Sequence, residues 1–324
     1  MIASSSIHSP ATKKFVPVMI TPFDLRAQVD LDVVSMLVEF YIAAGSKGLF
    51  ANCLSSEMFS ITEDERLALT KHIVRQVNGR VPVVATGSFG LTIEDKADFT
   101  RRIYDTGIDA AILITGHFAQ EHEDDEILLR RFHQFFDLTG DIPLGMYECP
   151  APYKRIIGKD TFRQLLSADR MVYHKDTSIT HENVAGKLEV WKEMNSRLEF
   201  YDAHTPNAHF SMSHGATGMS SISGNFYPEI MVWMVDHAND PARQEDVKWI
   251  QQELTAADPL IHTAYPLCSK YFLQLRGLPI RTISRAVAVK LTPDQRNAFD
   301  ALHVKFQGWC DRLGIRQVDL SSIK

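Results

Sequence analysis

The sequence predicts an α/β chain folded as a (β/α)8 barrel with a C-terminal helical extension. Three observations carry that expectation. Short apolar runs alternate with amphipathic stretches from Phe15 to about Ser221, the pattern of parallel βαβ units. Several of the runs are unbroken and rich in Val, Ile, Leu, Met and Ala, as strands buried on both faces should be. The first run ends in Thr21-Pro22-Phe23-Asp24, and neither GxGxxG nor GxxxxGK[ST] occurs anywhere. An open doubly wound sheet would normally carry such a glycine-rich turn after an early strand. A barrel of typical size, ~250 residues, accommodates the alternation better.

The strand candidates, in order, are Phe15–Thr21, Gly48–Asn52, Val81–Thr86, Ala110–Thr115, Pro143–Tyr147, Met171–Lys175, Leu198–Asp202 and Gly218–Ser221. Between and after them lie the helical candidates Leu31–Ala44, Glu63–Val77, Ile93–Thr106, Asp124–Leu138, Lys159–Leu166, Thr180–Asn195, Pro206–Ser213 and Phe226–Ala238. Asp30 precedes the first of these. Ser60-Ile61-Thr62-Glu63 reads as a capping box for the second, with Ser60 as the cap. Beyond Ala238 the alternation stops, and Arg243–Ala257, Pro259–Leu275 and Pro293–Leu313 read as helices. The expected organisation is a loose arm over residues 1–14, the barrel over 15–240 and a helical region over 241–324. The Ser-rich Met1–Lys14 lacks the apolar run of a signal peptide.

The 324 residues carry 34 Lys+Arg against 40 Asp+Glu, a net charge of −6, without a block of like charges. That balance argues against nucleic acid or an anionic membrane as partner. No apolar run approaches the ~18 residues of a membrane span. Cys53, Cys149, Cys268 and Cys310 are widely spaced, without a CxxC pair. A reducing, cytoplasmic setting is therefore expected.

In such a barrel, chemistry sits at the C-terminal ends of the strands. The sixth strand ends in Tyr173-His174-Lys175-Asp176-Thr177-Ser178. Lysine is almost never fully buried without a partner. Desolvation lowers an ammonium pKa, and a lysine brought to about 7–8 is partly neutral and nucleophilic. Lys175 is thus a candidate Schiff-base residue, or a rim lysine paired with Asp176. The fifth strand ends in Met146-Tyr147-Glu148-Cys149-Pro150. Tyr147 would neighbour Lys175 and is a candidate proton shuttle, or a core tyrosine bonded to a backbone carbonyl. The second strand ends in Asn52-Cys53-Leu54-Ser55-Ser56-Glu57. Its hydroxyls and amides suit a small carboxylate, or form an ordinary polar loop.

Taken in order, these pieces resemble the dihydrodipicolinate synthase/N-acetylneuraminate lyase family, class I Schiff-base aldolases and dehydratases on a TIM barrel. The resemblance covers roughly Phe15 to Leu313. It includes Val18-Met19-Ile20-Thr21-Pro22-Phe23, Val84-Ala85-Thr86-Gly87-Ser88, Tyr147-Glu148-Cys149-Pro150, Lys175-Asp176-Thr177-Ser178 and Gly218-Met219-Ser220-Ser221. It implies that Lys175 forms an imine with a 2-keto acid, commonly pyruvate, and that Tyr147 relays protons. It further implies that Ser55 and Ser56 hold the carboxylate, that Ser220 and Ser221 line the pocket beside the imine, and that the chain is a homotetramer built from dimers.

Departures from the family pattern bear on the substrate. Leu54 stands where the synthase has a relay hydroxyl, and the second relay tyrosine falls near Phe118. The synthase arginine for the semialdehyde carboxylate aligns with Pro152, with Lys154 and Arg155 as nearby substitutes. The acidic pair of the neuraminate lyases falls around His204-Thr205, with Asp202 close by. Metal is not expected, although His117, His174, His204 and His214 lie near strand ends. None forms HxH or HExxH, and an imine supplies the electron sink itself. His174 should point out of the barrel as a satisfied second-layer histidine.

The expected function is a cofactor-free Schiff-base lyase that cleaves or dehydrates a 2-keto acid such as a 2-keto-3-deoxy sugar acid. The alternatives are aldol condensation of pyruvate with an aldehyde, as in dihydrodipicolinate synthase proper, and a non-catalytic 2-keto-acid-binding protein.

Overall fold

The computed structural model describes residues 13–320 and 323, so residues 1–12 of the expected arm lie outside the described residues. Eight parallel strands form one sheet: β1 (Lys14–Phe15), β2 (Leu49–Phe50), β3 (Val83–Thr86), β4 (Ala110–Ile114), β5 (Leu144–Tyr147), β6 (Met171–Asp176), β7 (Glu199–Asp202) and β8 (Gly218–Met219). Their order is β1-β8-β7-β6-β5-β4-β3-β2. The two ends meet. Val18 bridges Phe50 in parallel, and the Phe50 and Met19 amides donate to the Pro17 and Phe50 carbonyls at 3.0 Å each. The sheet is thereby closed into a barrel.

The first strand is shorter than Phe15–Thr21 because Pro17 has no N–H to donate. The chain pairs with β8 before it and with β2 after it. Gly218 permits the tight seam, since a Cβ there would fall 1.8 Å from the Lys14 carbonyl oxygen. Pro82 shortens the third strand in the same way, to Val83–Thr86.

The barrel helices are α1 (Leu31–Ala43), α2 (Glu63–Val77), α3 (Ile93–Tyr104), α4 (Asp125–Thr139), α5 (Lys159–Ser167), α6 (His181–Glu193), α7 (Ala208–Ser213) and α8 (Pro228–His237). The cap of α2 is Thr62 rather than Ser60. Its hydroxyl accepts from the Glu65 amide and Glu65 bonds back to the Thr62 amide, because the helix starts directly after Thr62.

The extension contains α9 (Gln244–Ile261), α10 (Leu267–Leu275) and α11 (Pro293–Leu313). The helix expected over Pro259–Leu275 is divided. Pro259 lies in the last turn of α9, where it removes one i→i−4 hydrogen bond near the helix end, and the break comes at Ala264, in the left-handed region at φ 51°. Aromatic contacts seat the extension on the segment that enters α8: Phe226 meets Phe272 and Tyr227 meets Trp309, each at 5.4 Å between ring centroids.

Inside the barrel, Tyr173 stacks on Tyr201 at 4.7 Å and Phe50 edges onto Tyr147 and Tyr173. The interior is a packed aromatic core beneath the C-terminal strand ends. Open space lies on both sides of it: a cavity of about 280 Å³ at the N-terminal strand ends, bordered by Lys14, Asp109 and Glu199, and another above, at the C-terminal ends.

Candidate active site

Strand register brings the two leading candidates together. Tyr147 is the cross-strand partner of Lys175 in the β5–β6 ladder, so their side chains leave the sheet on the same, inward face. The Lys175 Nζ stands 4.4 Å from the centre of the Tyr147 ring. Lys175 is 4% exposed, and its Nζ makes no ion pair or hydrogen bond among the described residues. Burial lowers its ammonium to a pKa of about 8. At pH 7 roughly a tenth of it is therefore the free amine. Burial also raises the Tyr147 phenol well above its ordinary range, with the neighbouring Cys149 and Cys53 adding to the effect. Tyr147 therefore stays a proton donor.

Both residues line a cavity of about 230 Å³ at the C-terminal end of the barrel. Leu54, Pro150, Ile179 and Ile222 form apolar wall, while Ser55, Lys154, His204, His262 and Tyr265 supply polar groups. The cavity has the size and mixed lining of a small-molecule site.

The other expected site residues divide. Ser55 lines the cavity. Ser56 does not: its hydroxyl donates toward the Met19 and Ala51 carbonyls at 2.7 Å and accepts the Cys53 amide at 3.1 Å. Ser56 locks the loop rather than facing a ligand. Ser220 accepts the Tyr173 hydroxyl at 3.1 Å, and the Ser221 hydroxyl is buried without a partner among the described residues. Neither lines the open cavity. Arg155 also turns away. Its guanidinium bonds Asp125 at 2.6 Å and the Gln120 and Glu123 carbonyls at 3.1 and 2.8 Å, so it staples the start of α4. The cation at the cavity is Lys154, exposed and without a partner among the described residues.

Behind the strands lies a cluster that sequence reasoning missed. Glu148 and Asp176 each follow a site residue by one position and point outward. Lys187 of α6 bonds both, with Asp176 at 2.6 Å. Glu148 also accepts the Ile157 and Thr177 amides at 2.9 Å. Burial alone would raise Asp176, but Lys187 and His174 hold it well below the usual carboxylate range. Burial would likewise lower Lys187, and the two carboxylates push it up instead. The available signal was a lysine on the stripe of Val184, Lys187 and Leu188, all buried in α6. Glu148, His174 and Asp176 have metal-ligand spacing, but the Lys187 ammonium already bonds both carboxylates.

His174 does point outward, packed against Phe162 and Phe200 at 5.0 and 5.1 Å. It is not satisfied: neither ring nitrogen has a hydrogen-bond partner among the described residues, and Nε2 lies 3.6 Å from Asp176. His117 bonds the Ser88 carbonyl at 2.6 Å, and His214 stacks on Phe210 at 3.9 Å. Of the four histidines only His204 lines the cavity. Asp202 is buried behind the strand ends, its carboxyl raised to about 7 by burial and by Asp176. It accepts the His204 amide at 2.7 Å and the Ser211 hydroxyl at 2.5 Å. Tyr265, also missed, enters from the connection between α9 and α10. Its one sequence signal is the Tyr265-Pro266 dipeptide interrupting a helical stretch.

A desolvated lysine beside a phenol, in a cavity at the C-terminal end of a (β/α)8 barrel, is the arrangement that suits a Schiff-base aldolase of the lyase class. Comparison with known proteins places the chain within that class. The model of the dihydrodipicolinate synthetase family matches residues 11–305, and the chain belongs to this family. The 4-hydroxy-tetrahydrodipicolinate synthase of Oceanobacillus iheyensis is 24% identical over 282 residues, covering 87% of this chain and 93% of that protein. Among solved structures, a prophage protein of the dihydrodipicolinic acid synthase family from E. coli K12, in complex with pyruvate, superposes with a TM-score of 0.82 at 20% identity. It covers 91% of this chain and 98% of its own. Dihydrodipicolinate synthase from Bacillus anthracis superposes with a TM-score of 0.80 at 22% identity, covering 90% and 98%.

Proposed function

We propose that the chain is a cytoplasmic lyase in which Lys175 forms an imine with a 2-keto acid and breaks a bond at its C3–C4 end. The observation that carries this reading is a buried lysine without a counterion, its amine against the face of Tyr147. The free amine attacks C2, and loss of water leaves a protonated imine. That imine accepts the electron pair of the breaking bond as an enamine, or eases loss of a proton from C3 before water leaves. Tyr147 carries protons to and from the carbinolamine oxygen and C3. Ser55 receives the carboxylate, and Lys154 and His204 meet the distal half of the substrate.

A sugar-derived 2-keto-3-deoxy acid suits this cavity better than aspartate semialdehyde. Pro152 offers no charge, Arg155 is held by Asp125 and two carbonyls, and Lys154 at the cavity is exposed and screened by solvent, a weaker clamp than a buried arginine. Assembly as a homotetramer is part of the same proposal, carried by the family resemblance.

The test is incubation with pyruvate and borohydride, followed by peptide mass spectrometry and a turnover panel. A reduced three-carbon adduct on Lys175, with pyruvate release or water loss from a 2-keto-3-deoxy acid, is expected. An adduct on a different lysine, or none with any 2-keto acid tried, overturns the reading. Light scattering at micromolar concentration checks the assembly, and a monomer contradicts the tetramer.

A further inference from the structure

The cavity that holds Lys175 takes part of its wall from the C-terminal extension. Asp258, in the last turn of α9, and His262, which caps that helix, line it together with Lys154 and with His204 and Thr205 of the β7–α7 loop. Asp258 is the one carboxylate on the lining among the described residues. Its side chain is 15% exposed and accepts no hydrogen bond among them. The Nε2 of His262 stands 3.6 Å away, on a ring that is 58% exposed.

Nothing in the packing accounts for this carboxylate. The last turn of a helix is the negative end of the backbone dipoles, where an acid is disfavoured and a base preferred. A largely buried carboxylate also gives up water without a protein donor in return. At 3.6 Å the His262 contact is too long for a hydrogen bond, and an exposed pair contributes little. The other polar groups of the wall leave the charge of Asp258 standing. Lys154 is exposed, so solvent screens it. Burial holds His204 below the ordinary histidine range, so it presents a neutral ring with one donor and one acceptor. Such a wall suits hydroxyl groups, which donate to a carboxylate, and opposes a second anion.

We propose that Asp258 is a specificity-determining residue: its carboxylate accepts hydroxyl groups on the distal carbons of the bound 2-keto acid and repels a distal carboxylate or phosphate, which makes the substrate a 2-keto-3-deoxy acid with an uncharged polyhydroxyl tail. The inference rests on the reading of Lys175 as the imine-forming residue. A hydroxyl that donates to a carboxylate makes a charge-assisted bond. A ligand without that donor leaves the carboxylate unpaired, which is a stronger source of discrimination than a missing apolar contact.

The experiment incubates the full chain with pyruvate and borohydride and measures how much of a competing acid halves the pyruvate adduct on Lys175. Two six-carbon 2-keto-3-deoxy acids compete, alike except that one ends in a hydroxymethyl group and the other in a carboxylate. The native chain should favour the hydroxymethyl acid by about tenfold or more. Asp258→Asn should weaken that acid about three- to tenfold and strengthen the carboxylate-ended acid about two- to fivefold. Pyruvate has no tail, so its own half-saturation should stay within about twofold. Because the native carboxylate opposes the helix dipole, Asp258→Asn should melt no lower than the native chain. A native preference for the carboxylate-ended acid, equal shifts or none for the two competitors, a matching shift for pyruvate, or failure of both acids to compete overturns the proposal while the imine reading stands. A lower melting temperature for Asp258→Asn assigns the carboxylate a structural role and overturns it too. No Lys175 adduct in the native chain with any 2-keto acid is a different outcome: there the imine reading itself fails, and this proposal with it.

Discussion

The inner and outer faces of β5 and β6 hold two buried lysines in opposite electrical settings. On the inner face, Lys175 meets a phenol ring and no carboxylate, and burial brings its pKa down to about 8. On the outer face, one residue further along each chain segment, Glu148 and Asp176 enclose Lys187 and keep it charged. Lys175 is 4% exposed and Lys187 1%, so burial does not separate them. The counterions do. A charged lysine with two carboxylates is a structural bolt, whereas one deprived of them becomes a nucleophile. The bolt ties the residues following Tyr147 and Lys175 to α6, holding the proposed reacting pair in register.

The strongest way to break this comparison is Lys175→Met. Removal of the amine should lower turnover by more than about a thousandfold and eliminate the borohydride adduct. The same change should stabilise the fold. Lys175 has a folded pKa below its unfolded value of 10.5, so between about 8 and 10.5 the unfolded chain binds more protons and stability rises with pH. Below pH 8 the full penalty is present, up to about 3 kcal/mol at 1.36 kcal/mol per pKa unit. Denaturant melts at pH 7 should therefore find Lys175→Met more stable than the native chain, by an amount that shrinks toward pH 10.5. Equal or lower stability at pH 7 would mean that Lys175 has a counterion after all.

Lys187→Met is the converse break. It leaves Glu148 and Asp176 buried without their cation, which should cost about 3–5 kcal/mol of stability. The fall in melting temperature should lessen as pH is lowered and the carboxylates take up protons. A variant as stable as the native chain would show that this cluster is not the bolt described here.

The pH dependence sharpens the inner face. Between pH 7 and 9 the free-amine fraction of a lysine with a pKa of about 8 rises roughly tenfold and then flattens. Initial rates of pyruvate imine formation should follow it. An ordinary lysine would gain about a hundredfold over the same span and continue to rise past pH 10, a result that would remove the premise of an unpaired, desolvated amine.

Much of this arrangement was legible in the sequence because it is periodic or local. Strand–helix alternation gave the barrel, and the position of Lys175 at a strand end, with Tyr147 on the preceding strand, gave the pair. What was not legible depends on contacts distant in sequence. Arg155 follows the Tyr147–Pro150 turn closely and reads as a clamp, but its direction is decided by Asp125 in α4. Ser56 reads like Ser55, yet the 3-10 turn Leu54–Ser56 sends one hydroxyl to backbone and leaves the other at the cavity. Tyr265 and Lys270 reach the β2 loop from the extension, a juxtaposition that no local pattern encodes.

The same contrast between paired and unpaired cations extends to the cavity mouth and gives the smallest expected effect. Arg155 is half of an ion pair with Asp125, so Arg155→Ala should loosen the start of α4 and lower stability while leaving the KM of any substrate nearly unchanged. Lys154 lines the cavity and has no partner among the described residues, so it is the cation available to a distal anionic group. Because Lys154 is exposed, solvent screens it, and its contribution belongs with surface pairs of about 0.2–1 kcal/mol rather than with buried ones. Lys154→Ala should accordingly raise KM about two- to fivefold for 2-keto acids bearing a distal carboxylate, and leave pyruvate binding as it is. The difference should fade as salt is raised from 0.05 to about 0.5 M, over which the Debye length shrinks from about 14 to about 4 Å. A KM shift from Arg155→Ala with none from Lys154→Ala would reverse the assignment and make Arg155 the residue that meets the substrate.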